Sequence, residues 1–240
     1  MSEERNNKDI ILGSAYLGPV SYFAQLYSCD KAYIERYDHY VKQTYRNRCV
    51  IASADGPLSL TIPIEKINDV EGKCAMKDIR ISEHGNWRHV HRNAFVAAYK
   101  QSPFFDYYMD EFNAFFEKKY DFLYDFNLDL TLWLCKQIDI QPELIPTTEY
   151  MISELPDFRE LIHPKKRLED ICSFFNPVPY YQVFDSKSGF LPDLSIVDLL
   201  FNMGPESLLV LRNCNKIQKK TLGRIPLYQE PGPMFFIEKY

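Results

Sequence analysis

The clearest hydrophobic alternation in the chain lies in PLSLTIPIEK (57–66), where Leu58, Leu60, Ile62 and Ile64 alternate with Ser59, Thr61 and Pro63. A period of two sends successive side chains to opposite faces, so this is a strand with one apolar face. Pro63 has no N–H to donate to a ladder, which points to an edge or a strand end. The preceding GPLS reads as a turn. In DIILGSAY (9–16) the run Ile10, Ile11, Leu12 predicts a short buried strand, and Gly13 and Gly18 offer sharply turning backbone after it. Pro19 suits the first turn of a helix running to about Ser28, with Tyr22, Phe23 and Leu26 on its inner face. KAYIERY (31–37) reads as the next strand, so the opening is strand, turn, helix, strand, a Rossmann-like start to an α/β fold. Further short strands are predicted at 77–83 and 179–184.

Between 86 and 139 the period changes to that of helices. Trp87, Val90, His91, Ala94 and Ala98 recur at helical spacing, Pro103 restarts a helix in SPFF, and Phe122, Phe126, Leu130, Trp133, Leu134 and Ile138 form a stripe. Trp87 and Trp133 are assigned to the core. Asp121, Asp125 and Asp129 line another side, most simply a solvated face. The segment 141–179 is proline-rich and predicted to be partly irregular. In 192–211 a helix starts near Ser195, which with Asp198 resembles a capping box, and stops near Gly204. The tail 215–240 has little periodicity and is expected to pack across the surface. Together these elements predict one α/β domain over 1–240, with a central mixed sheet and a helical middle at 86–139.

Composition narrows the function. With 46% apolar residues and 15% aromatics in 240 residues, the chain can bury a sizeable core. The net charge of −5 argues against a general nucleic-acid binder. No apolar run approaches the roughly 20 residues that span a bilayer, and MSEERNNKDI does not read as a signal peptide. Six cysteines without a CxxC pair or zinc spacing suit reduced thiols and a cytoplasmic setting.

Against that acidic background, HYVKQTYRNR (39–48) concentrates positive charge. If extended, it points Lys42, Thr44, Arg46 and Arg48 to one side and Val41, Tyr45, Asn47 and Cys49 to the other. Unpaired buried cations are costly, so these must meet solvent, carboxylates or an anionic ligand. Glu35 and Asp38 are candidate internal partners; a bound phosphate or carboxylate is the other reading, since the arginine fork bonds both. His39 stands just upstream as a candidate acid or base, and His91 is a second. Asn47 and Tyr45 would contact the polar body of a ligand, with Tyr16 in the first turn and Asp193 before the last helices completing the set. HGNWRHVH (84–91) holds three histidines, but His89 and His91 lie about 200° apart on a helix, so no metal site is expected. There is no GxSxG, Walker A or GxGxxG motif, and no cofactor is implied.

Four strings make the chain similar to a known family: ILGSAYLGPVSYFAQL (11–26); TYRNRCVI (44–51) with LSLTIPI (58–64); NWRHVHRNAFVAAYKQSPFFDYY (86–108); and LSIVDLLFNMGPES (194–207). These resemble the WbqC-like family, bacterial proteins linked to O-antigen and other surface-polysaccharide synthesis. The family's Gln-Pro pair after the first strand is replaced here by GSAYLGP. The resemblance implies a role around sugar or amino-sugar modification, by acyl or aminoacyl transfer. It favours the anion-site reading of the basic stretch, with a sugar phosphate or nucleotide-sugar as partner.

Overall fold

The computed structural model describes residues 8–67 and 73–214. The expectation for the tail 215–240 lies outside the described residues. The chain opens as β1 (Ile10–Gly13), α1 (Val20–Ser28) and β2 (Lys31–Glu35), continues into a hairpin of β3 (Arg48–Ser53) and β4 (Gly56–Thr61), then three helices α2 (Trp87–Tyr99), α3 (Phe105–Glu117) and α4 (Leu123–Ile138). β5 (Glu143–Pro146) follows, then the short α5 (Leu168–Ile171) and α6 (Asp185–Ser188), and finally α7 (Ile196–Met203) and α8 (Ser207–Cys214). β1, β2 and β5 form a parallel sheet with β2 in the centre, and β3 and β4 pair antiparallel as a separate two-stranded sheet that packs on α2 and α7. The fold is α/β.

Parallel strands joined through helices bury both faces. Accordingly Ile11, Leu12, Ala32 and Ile34 are all buried, and α1 packs against α8. Aromatic side chains fill the space between the helices. Phe95, Phe112, Phe116 and Phe201 meet edge-on or tilted, the arrangement the ring quadrupole prefers. Trp87 is buried among them; Trp133 is half-buried, stacks on Phe112 and donates from Nε1 to Glu111.

Four local expectations fail, each for a physical reason. Residues 77–83 make only single bridges, Arg80 to Phe122 and Ile81 to Ile64, after a 3-10 turn at Met76–Asp78. Residues 179–184 form no strand. Pro177 and Pro179 lack amide donors, and the free edge of β1 is already taken by Ile11 pairing with Pro156 and Phe158. After β1 it is Leu17, not a glycine, that adopts the left-handed conformation, at φ 46. Ser195 forms no capping box, because its hydroxyl donates to the Leu17 carbonyl instead. Gly204 is a glycine whose identity matters: φ is +52, and a Cβ would lie 2.6 Å from the Phe104 ring.

Candidate ligand-binding site

Three parallel strands end on the same side, at Gly13, Glu35 and Pro146, and α/β sheets place ligands there. Glu35 is fully buried at that edge. The chain turns directly after β2, so the amides of Arg36 and Tyr37 donate back to its Oε1 at 2.9 and 2.8 Å. Thr147 Oγ1, just past β5, donates to the same oxygen at 2.8 Å. Oε2 accepts from the Met151 amide at 2.9 Å and Arg159 Nη1 at 3.0 Å. Arg159 also grips Asp157 and the Met151 carbonyl. One buried acid thereby ties the irregular segment after β5 to the sheet.

The basic stretch is not extended. Residues 42–47 form successive turns, with Gln43 at φ 61, so the two-residue alternation that would align Lys42, Thr44, Arg46 and Arg48 does not operate. Thr44, Arg46 and Asn47 are buried, Lys42 is exposed, and Arg48 is half-buried with its Nε donating to Thr61 Oγ1 at 3.1 Å. Arg46 meets Asp38 through both Nε, at 3.1 Å, and Nη2, and has the exposed Glu160 at 3.6 Å. Burial raises the Asp38 pKa while Arg46 opposes the rise. Asn47 Nδ2 donates to the Ile62 carbonyl.

Two adjoining clefts lie beyond this edge. The inner one, bordered by Ser14, Tyr45, Arg46, Phe158 and Arg159, is a crevice of about 20 Å³, room for one water-sized group. The outer one measures about 270 Å³ and is bordered by Tyr45, Lys166 and Asp193 with an apolar wall including Val50, Leu168 and Leu194. Tyr45 borders both clefts. Asp193 sits at φ 57, a strained conformation for this residue, and its carboxylate accepts from Ser21 N at 2.7 Å and Ser21 Oγ at 3.0 Å. It therefore caps α1 from across the chain, filling with an internal charge the helix N-terminus that could attract an anion. Burial pushes its carboxyl up to about 7, against the lowering effect of the two Ser21 bonds.

Of the residues singled out from sequence, Tyr45, Arg46 and Asp193 border the clefts. His39, His91, Lys42, Asn47, Arg48 and Tyr16 border neither. His39 is exposed, its backbone bridged to Ala75. His91 is a core residue: Nδ1 meets Tyr16 Oη at 2.8 Å, and the ring also bonds the Thr61 backbone. Burial lowers its pKa to about 4. The folded state thus resists protonation that the unfolded chain accepts near 6.5, and stability falls as pH drops from about 6.5 to about 4. The difference between wild type and His91→Gln should show this ramp, worth up to about 3 kcal/mol, in urea melts across that range. Taking the difference removes the opposite contributions of Asp193 and Asp198, whose burial raises their pKa values. Equal pH slopes in the two proteins would refute the assignment.

Sequence reasoning missed Glu35 as a hub, Arg159, Lys166 and His163. His163 precedes the outer cleft, accepts the Lys165 amide on Nδ1 at 3.0 Å, and has its pKa lowered by burial, with Lys165, Arg46 and Lys166 adding to the effect and Glu160 opposing it. Its basic surroundings, HPKKR, were visible as a charge run. Among the described residues no group of His, Cys, Asp or Glu is arranged to hold a metal ion, and no helix is long and apolar enough to cross a membrane.

The family model described as the WbqC-like protein family matches residues 14–183. That is most of the chain, and it takes in β2, the basic turns, the helical middle and the segment carrying Arg159 and Lys166; the chain belongs to this family. No curated protein and no solved structure matches it.

Proposed function

We propose that this chain is an enzyme acting on a phosphate-bearing or nucleotide-activated sugar or amino-sugar, by group transfer, in surface-polysaccharide synthesis in the cytoplasm. The observation that carries the reading is the outer cleft, about 270 Å³, with an apolar wall and with Tyr45, Lys166 and Asp193 on its border; the Asp193 carboxyl is held by Ser21 and pushed up to about 7 by burial. A group that titrates near the working pH is suited to take a proton from a hydroxyl or amine and to return one. The apolar wall and Tyr45 would cover the sugar body, and Lys166 at the cleft border its phosphate. Binding should show as a rise in melting temperature when wild type is screened against sugar phosphates, nucleotide-sugars, nucleotides and acyl carriers. Asp193→Asn should keep that rise and lose turnover by on the order of a hundredfold or more. A variant as active as wild type would remove Asp193 from the chemistry.

A second reading, a non-catalytic protein that binds an anionic metabolite or serves in assembly, is favoured by the placement of His39 and His91 away from both clefts and by the carboxylate pairing of Arg46 and Arg159. It expects the thermal rise with no turnover of any ligand that produces it.

A further inference from the structure

We propose that the turn His163–Arg167 is the phosphate grip of this site, and that it takes a diphosphate through Lys165, Lys166 and the His163 imidazole. The inference rests on the ligand reading above and names the part of the ligand that is recognised. The turn is built to hold its shape. The Lys166 amide donates to the His163 carbonyl at 2.9 Å, the Lys165 amide donates to His163 Nδ1 at 3.0 Å, and Pro164 fixes the backbone between them. Pro164 and Lys166 of the turn border the outer cleft, and Ile162, just ahead of it, borders the inner crevice.

The charges on this turn differ in kind from those of the arginines behind it. Arg46 and Arg159 are already neutralised by Asp38 and Glu35. Lys165 and Lys166 are exposed and, among the described residues, neither forms an ion pair. Because His163 accepts on Nδ1, its neutral ring carries the proton on Nε2, leaving one donor. Burial, with the neighbouring cations adding to it and Glu160 opposing, lowers the pKa of that ring and so favours its neutral, donating form. The two lysines are consecutive and without carboxylate partners, so a ligand with two phosphates offers an anionic partner to each ammonium where a single carboxylate offers one.

The test uses inorganic phosphate and pyrophosphate on the full chain at constant ionic strength, read by melting temperature and by calorimetric titration. Pyrophosphate should bind wild type at least about tenfold more tightly than phosphate, and Lys165→Ala/Lys166→Ala should weaken it by at least about tenfold. Both lysines are exposed, so the double variant should melt like wild type without ligand. His163→Gln, which offers a neutral N–H donor, should keep more of the affinity than His163→Ala. If sugar phosphates or nucleotide-sugars bind wild type and the double-lysine variant equally, the grip is elsewhere and the ligand reading stands. If no anion binds wild type, both fall.

Discussion

Glu35→Gln is expected to cost about 3–5 kcal/mol of folding stability, the range for breaking a buried charge pair. The replacement keeps the shape and changes one oxygen into an NH2 group. Every acceptor position of Glu35 already faces a donor: the Arg36 and Tyr37 amides and Thr147 on one oxygen, the Met151 amide and Arg159 on the other. The new NH2 must therefore point at donors whichever way the amide is turned, although the Thr147 hydroxyl can rotate to accept. Arg159 loses its buried anionic partner and keeps the exposed Asp157. For a chain of this size each kcal/mol moves the melting temperature by about 2–4 °C, so a drop of roughly 10 °C is expected. Glu160→Gln is the control, since Glu160 is 78% exposed in its side chain and should change stability little. If the two variants melt together, Glu35 does not tie the segment after β5 to the sheet.

The consequence reaches the site. Phe158, Arg159 and Ile162 border the inner crevice, and Pro164 and Lys166 the outer cleft. All lie on the segment that Glu35 anchors through Met151 and Arg159. A hydrogen bond between positions 124 residues apart has no local signature in sequence. In KAYIERY, Glu35 reads as a polar position at a strand end and a candidate partner for the basic stretch, and its burial against Arg159 follows only from what β5 and residue 159 bring to it.

What was legible was local and periodic. The run Ile10–Leu12, the proline ahead of α1 and the helical stripe to Ile138 each contain their own instruction, and each formed. The basic stretch misled because alternation presumes extended backbone, whereas Gln43 turns left-handed and folds Arg46 inward onto Asp38. Asp193 could be named as a candidate from PDLS, but its bond to Ser21, 172 residues away, and the burial that pushes its carboxyl up to about 7 against that bond are products of tertiary structure.

Arg46→Ala is the other large effect, and its interpretation turns on Asp38. Removing the guanidinium leaves a buried carboxylate whose second oxygen has no hydrogen-bond partner, and a loss of about 3–5 kcal/mol is expected. Burial already raises the Asp38 pKa with Arg46 present. Without it the carboxyl should protonate more readily, so the deficit of the variant should shrink as pH falls toward the carboxylate range. Asp38→Ala/Arg46→Ala removes both charges together and should recover at least about 2 kcal/mol relative to the sum of the single losses, the coupling of residues in direct contact. Additive losses in chemical denaturation would mean that the pair is not coupled and that Arg46 stabilises by packing alone. The double variant also separates folding from recognition. If its stability returns while the ligand-induced thermal shift stays absent, Arg46 contributes to binding in its own right. If the shift returns with the stability, the arginine serves the fold, and the anion is held by the turn at 163–167.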